Sequence, residues 1–145
     1  MDFAYLYTSP TGRLNRQPYW IASIILAVAL IILYFVLSFA IGMRFAKFIL
    51  VLALLYPAYM LMIKRLHDRD RPDYFAFIML APTLVNALTD VAGLTGNPMA
   101  MGSLDYLLGI IGLGIGIWAF VELGCLRGTV GPNQHGPDPL GTQPA

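Results

Sequence analysis

Residues 62–72 read MIKRLHDRDRP and set His67 and Asp68 among Lys64, Arg65, Arg69, Asp70 and Arg71. Six of the seventeen charged side chains in this 145-residue chain fall within those eleven positions. A histidine in such company could act as a general base, ligate a metal or donate a hydrogen bond to a carboxylate. Arginines beside it could hold a phosphate or carboxylate, so an interfacial enzyme using His67 or His135 is one reading. The residues needed to complete that chemistry are sparse. His135 is the only other histidine and Cys125 the only cysteine, so a metal site would have to borrow Asp68 or Asp138. No nucleophile or phosphate loop accompanies them, and no catalytic residue, metal site or cofactor is assigned. A structural histidine fits better, with Asp68 kept ionised by its cations and able to orient an arginine.

Two distant segments carry matching chemistry. Residues 11–20, TGRLNRQPYW, place Arg13 and Arg16 three apart just before Tyr19 and Trp20, whose apolar rings and polar tips suit the lipid headgroup level. Residues 127–141, RGTVGPNQHGPDPLG, mix Gly and Pro with Asn133, His135 and Asp138. That composition builds turns and taken alone predicts a disordered tail. Its position beside the arginines argues otherwise. The expectation is that Arg13 or Arg16, His67 or Asp68, and Asn133 or Asp138 gather on one face, with the tail folded back as an ordered strip.

The elements that must position these groups are apolar. The chain is 58% hydrophobic and 12% charged, about half the usual charged fraction, which a soluble domain of this size could not accommodate. Residues 20–41 carry no charge and as a helix span roughly 33 Å, enough for the hydrocarbon core. A cleaved signal peptide is the competing reading, but the run is too long and starts too late. After a short basic loop at 42–47, residues 48–63 form a second span containing Pro57, which a membrane helix tolerates. Continued past the bilayer, this helix would align Lys64, Asp68 and Arg71, with Pro72 ending it. Residues 75–94 form a third span, whose Thr83, Asn86 and Asp90 share a face expected to point into the bundle. A loop at 93–103 leads to the fourth span, 106–126. There Gly109, Gly112 and Gly116 suit helix packing within the bundle better than dimerisation. Cys125 reads as a small buried hydrophobe near a helix end. The fold class is therefore all-α: an integral membrane four-helix bundle at 20–127, with an interfacial segment at 1–19 and a Gly/Pro-rich tail at 128–145.

Basic residues orient it. With the N-terminus inside, Arg13, Arg16, Lys64, Arg65, Arg69, Arg71 and Arg127 face the cytoplasm, leaving Arg44 and Lys47 outside; that asymmetry places both termini in the cytoplasm. The formal net charge of +1 provides no broad field for nucleic acid. Two function classes join the enzyme reading. One is a non-enzymatic module in which Arg13, Arg16, Arg65, Arg69 and Arg71 meet membrane lipids with anionic headgroups, a partner protein or a second copy. The other is a transporter or channel using Asp90 or Glu122, because intramembrane carboxylates mark ion paths. These two lie near opposite membrane faces, each about 6 Å in by helical rise.

Together the three segments resemble a bacterial family of small inner-membrane proteins of unknown function typified by YhaH. The resemblance rests on Gly12, Arg13, Arg16, Tyr19 and Trp20, on Arg65, Leu66, His67 and Asp68, and on Gly131, Pro132, Asn133, Gly136, Pro137, Asp138 and Pro139. It covers roughly residues 3–140 and implies a multi-span protein of the bacterial inner (plasma) membrane, with no activity attached. Family members usually follow the central motif with a Gly-bearing turn and a Trp pair. This chain has Asp70, Arg71, Pro72 and Asp73, then Tyr74 and Phe75.

Overall fold

A carboxylate starts the first helix. Asp2 Oδ1 accepts the Tyr5 N–H at 3.1 Å, and α1 covers Phe3–Thr8. The structure, a computed structural model, describes residues 2–95 and 99–141, and among these no strand occurs. Asn15 caps the next helix by accepting the Gln17 N–H, so α2 runs Arg16–Ile41 and begins four residues before the expected span. The expected basic loop at 42–47 is reduced to one residue. Gly42, at φ 82°, is both the C-cap of α2 and the N-cap of α3, which runs Met43–Asp68. A left-handed φ is open to glycine at little cost. Helix α3 runs past the 48–63 span at both ends, and at its C-terminal end Lys64, Arg65 and Asp68 stay helical and buried.

Helix α4 is Tyr74–Val91 and α5 is Ser103–Ala119. The chain then widens into a π-helical turn, Phe120–Cys125, where the Leu126 N–H reaches back to the Val121 carbonyl at 3.1 Å. Part of the expected 93–103 loop, residues 96–98, lies outside the described residues. Helices α2, α3, α4 and α5 with its π turn are each long and apolar enough to cross a membrane.

The helices pack in chain order, α2 on α3, α3 on α4 and α4 on α5, and the row closes back on α2 mainly through the π turn. Both buried apolar clusters sit near that closure. One joins Ile63, Leu66, Ala76, Met79 and Leu123, and the other joins Leu6, Leu14, Ala22 and Leu61. Elsewhere the helices expose large apolar side chains such as Ile31, Phe35, Ile110 and Leu113, a surface that suits lipid. The α5 glycines serve packing less than expected. A β-carbon at Gly112 would touch Pro82 at 3.8 Å, whereas Gly109 and Gly116 face open space. Cys125 is exposed rather than buried, because Glu122, Leu123 and Gly124 take the inner side of the turn.

Candidate functional site

A helix leaves its last carbonyls without intrahelical partners, and here the fourth span ends inside the protein. Side chains from other helices supply the missing donors one carbonyl at a time. Arg65, wholly buried in α3, donates from Nε to the Leu123 carbonyl at 2.7 Å and from Nη2 to that of Leu126. Trp20 Nε1 donates to the Gly124 carbonyl at 3.2 Å, and Arg16 Nη1 to that of Cys125 at 3.0 Å. Arg69 Nη1 reaches the Arg127 carbonyl at 2.7 Å. Cations at a helix C-terminus also meet the negative end of its dipole. Lys64 does the same for α1, donating to the carbonyls of Tyr5 and Leu6 with its ammonium 4.0 Å from the Tyr5 ring centroid.

Arg13 extends the pattern into the tail. Its side chain is 2% exposed. Nε and Nη2 donate to Asp68 Oδ1 at 3.2 and 3.1 Å, Nη2 also to the Thr129 carbonyl at 2.7 Å, and Nη1 to the Gly131 carbonyl at 2.7 Å. Asp68 Oδ2 accepts Arg65 Nη1, so two guanidinium groups share this buried carboxylate. The Asp68 carbonyl accepts the Thr129 N–H at 2.8 Å, and the His67 carbonyl accepts Asn133 Nδ2 at 2.9 Å. Tail residues 128–141 thus form an ordered strip against α3, braced by the backbone pairing of Asn133 with Gly136. Asp138 stays within the strip, accepting the N–H groups of Gly131 and Leu140, each at 2.9 Å. The Leu140 and Gly131 amides hold its carboxyl below the usual carboxylate range.

His67 is fully engaged as well. Nδ1 lies 3.1 Å from the Gly12 carbonyl and Nε2 lies 2.8 Å from Asp73 Oδ1. The His135 ring stacks on it, with centroids 3.7 Å apart and planes within 8°. Burial pushes the His135 imidazole below its ordinary value, and the charge of His67 acts in the same direction. An open cleft of about 870 Å³ lies beside this stack, lined by Gly12, Arg13, Gly131, His135 and Asp138 among others.

The structure therefore brings together Arg13, Arg65, His67, Asp68 and Asn133 directly, and Arg16, Arg69 and Asp138 at their margin. Arg71 is not on the helical face expected for it, because α3 ends at Asp68 and Asp70 turns the chain at φ 55°. Arg71 instead meets Glu122 at 3.2 Å, alongside Arg69 at 3.1 Å. Asp90 belongs to the opposite end of the bundle, paired with Lys47 at 2.9 Å, while Lys47 also donates to Asn86 Oδ1 at 2.6 Å. Thr83, expected on the same inward face, is exposed. Sequence reading overlooked Lys47 as the partner of Asp90, Asp73 as the partner of His67, and Gly128 and Thr129 against Asp68. Only Asp73, six residues from His67, lay close enough in sequence to signal itself.

The family model described as "Protein of unknown function (DUF805)" matches residues 7–137, a span that includes Arg13, Asp68 and most of the tail strip. The chain belongs to this family. Among curated proteins, "Uncharacterized protein YiiR" of Escherichia coli strain K12 is 29% identical over 133 residues, covering 88% of this chain and 83% of its own length. The YiiR of Escherichia coli O157:H7 matches to the same extent. No solved structure matches the chain.

Proposed function

We propose that this DUF805 protein is a non-catalytic, multi-pass module of the bacterial inner membrane, with both termini cytoplasmic, whose arginine cluster folds its own tail into a fixed docking face. The observation that carries this reading is Arg13, whose three guanidinium nitrogens all bond to Asp68 and the tail. A mobile binding arm would leave those donors free for a ligand. The bias of basic residues toward one end supports the orientation. On this reading the three motifs of the YhaH-type resemblance mark one structural unit, since each supplies a different wall of the lock.

The competing classes gain less support. Both nitrogens of His67 already have partners, which leaves it poorly placed as a base. Asp90 and Glu122 are ion-paired at opposite ends of the row, so they do not form one ion path.

Limited proteolysis of the purified protein tests the reading. The wild-type tail is expected to resist cleavage and the Arg13→Met tail to be cut near residues 128–133; equal resistance in both overturns it. A membrane-impermeant maleimide on Gln134→Cys, in a Cys125→Ser background, should label inside-out vesicles and not intact spheroplasts.

A further inference from the structure

Beside the tail strip, where the π turn closes onto α2, lies an open cleft of about 430 Å³ lined by Asn15, Arg16, Gln17, Trp20, Gly124 and Leu140. A small recess shares Asn15, Arg16 and Leu140 with it and adds Arg127, Asp138 and the backbone of the strip. Unlike Arg13 and Arg65, the two arginines here keep donors in reserve. Arg16 is exposed and spends only Nη1, on the Cys125 carbonyl. The Arg127 side chain is exposed and donates to no group among the described residues. The neighbouring carboxylates are already committed, Asp68 to Arg13 and Arg65, and Asp138 to two backbone amides.

Below the cleft the apolar contact runs out. Trp20 packs on Gly124 so closely that a β-carbon there would stand 2.5 Å from its ring, and Phe120 meets the same indole edge-on at 5.5 Å. On the lengths of α2 and α5 that follow, Ile24 and Val28 of α2 and Leu113 and Ile117 of α5 are exposed. The ligand that fits has an anionic head for two guanidinium groups and long apolar chains to cover exposed apolar helix surface.

We propose that the α2–π-turn seam is a binding site for one anionic phospholipid, with its phosphate against Arg16 and Arg127, Gln17 at its side and an acyl chain along the exposed apolar surface of α2 and α5. The proposal rests on the docking-face reading, because the tail strip forms the upper wall of the recess. It names the occupant of that face as a lipid.

Native mass spectrometry of the full chain in detergent, with phosphatidylglycerol or chain-matched phosphatidylethanolamine added, tests it. One phosphatidylglycerol should be retained in preference to phosphatidylethanolamine. Arg127→Gln should weaken retention about fivefold and the Arg16→Gln, Arg127→Gln pair about thirtyfold, from the attraction typical of one basic residue at an anionic surface. Arg44→Gln, at the opposite end of the bundle beside Asp90, should change nothing. Equal retention of both lipids, an unchanged double variant, or full displacement by inorganic phosphate each overturns the site, the last by assigning it to free phosphate. Proteolysis of the same samples separates the two claims. A resistant tail without lipid preference rejects the lipid site alone, and a labile wild-type tail rejects the docking face together with the wall it provides.

Discussion

A β-carbon at Gly128 would overlap the Asp68 carboxylate, standing within 2.7 Å of both oxygens. The carboxylate has nowhere to retreat, since Arg13 holds Oδ1 and Arg65 holds Oδ2. Gly128→Ala is therefore an overpacking change at the point where the tail leaves the fourth span. It should cost about 2 kcal/mol and free the tail first. Both tryptophans, Trp20 and Trp118, pack near this end, so a fluorescence-monitored thermal midpoint and protease cutting after residue 128 should shift together.

Arg65→Lys tests whether shape or charge holds the π turn. One guanidinium here spans the carbonyls of Leu14, Leu123 and Leu126 and the Asp68 carboxylate. An ammonium is a compact, strongly hydrated point charge with three donors and cannot cover that fan. The substitution should destabilise by about 3 kcal/mol, as for a broken buried pair, even though net charge is unchanged. A midpoint equal to wild type would show that charge alone suffices.

Much of this architecture was legible because long apolar runs, uncharged over 20–41, 48–63, 74–89 and 106–121, have few alternatives. The helices run past the uncharged spans for one physical reason: a charge ends an uncharged run without ending the helix that carries it. Lys64, Arg65 and Asp68 stay helical and buried, because carbonyls from α1, the π turn and the tail surround them. Those partners lie 51 or more residues away from Lys64 and Arg65, and no local spacing announces them. Helix α1 was invisible for a related reason, since six residues are too few to show periodicity and its stability comes from Lys64 and from Leu6 against Leu61. The gathering of the three motifs could be anticipated, because topology alone brings their segments to one end.

Asp70 is the one non-glycine residue at positive φ among the described residues, at 55°. Glycine enters that conformation without the β-carbon penalty. Asp70→Gly gives up an exposed hydrogen bond, from Gln134 Nε2 at 3.0 Å, and a carboxylate charge acting on His135. The change should therefore be neutral or stabilise by up to about 1 kcal/mol, read as an unchanged or raised thermal midpoint. A clear loss of stability would mean that the Asp70–Gln134 bond anchors the tail more firmly than an exposed pair normally does.

Acid should loosen the tail in two stages, and the signs of the shifts fix the order. The His135 imidazole is held below its ordinary value by burial and by His67, with Arg13 adding to this and Asp70 and Asp73 opposing it. The folded tail thus binds fewer protons than the unfolded one, and stability rises with pH across that gap. The contribution is complete above about 6.5, the ordinary histidine value, and is lost as pH falls through the depressed folded value. Asp138, held below the carboxylate range by the Leu140 and Gly131 amides, behaves in the same sense at lower pH: its contribution is present above the ordinary carboxylate value and lost beneath it. Protease protection of residues 128–141 should accordingly decline in a first step below neutrality and a second in the carboxylate range. His135→Phe, which keeps a flat ring against His67, should remove the first step and leave the second, while Asp138→Asn should do the reverse. Protection that stays flat from neutral pH into the carboxylate range would show that neither group is linked to docking of the tail.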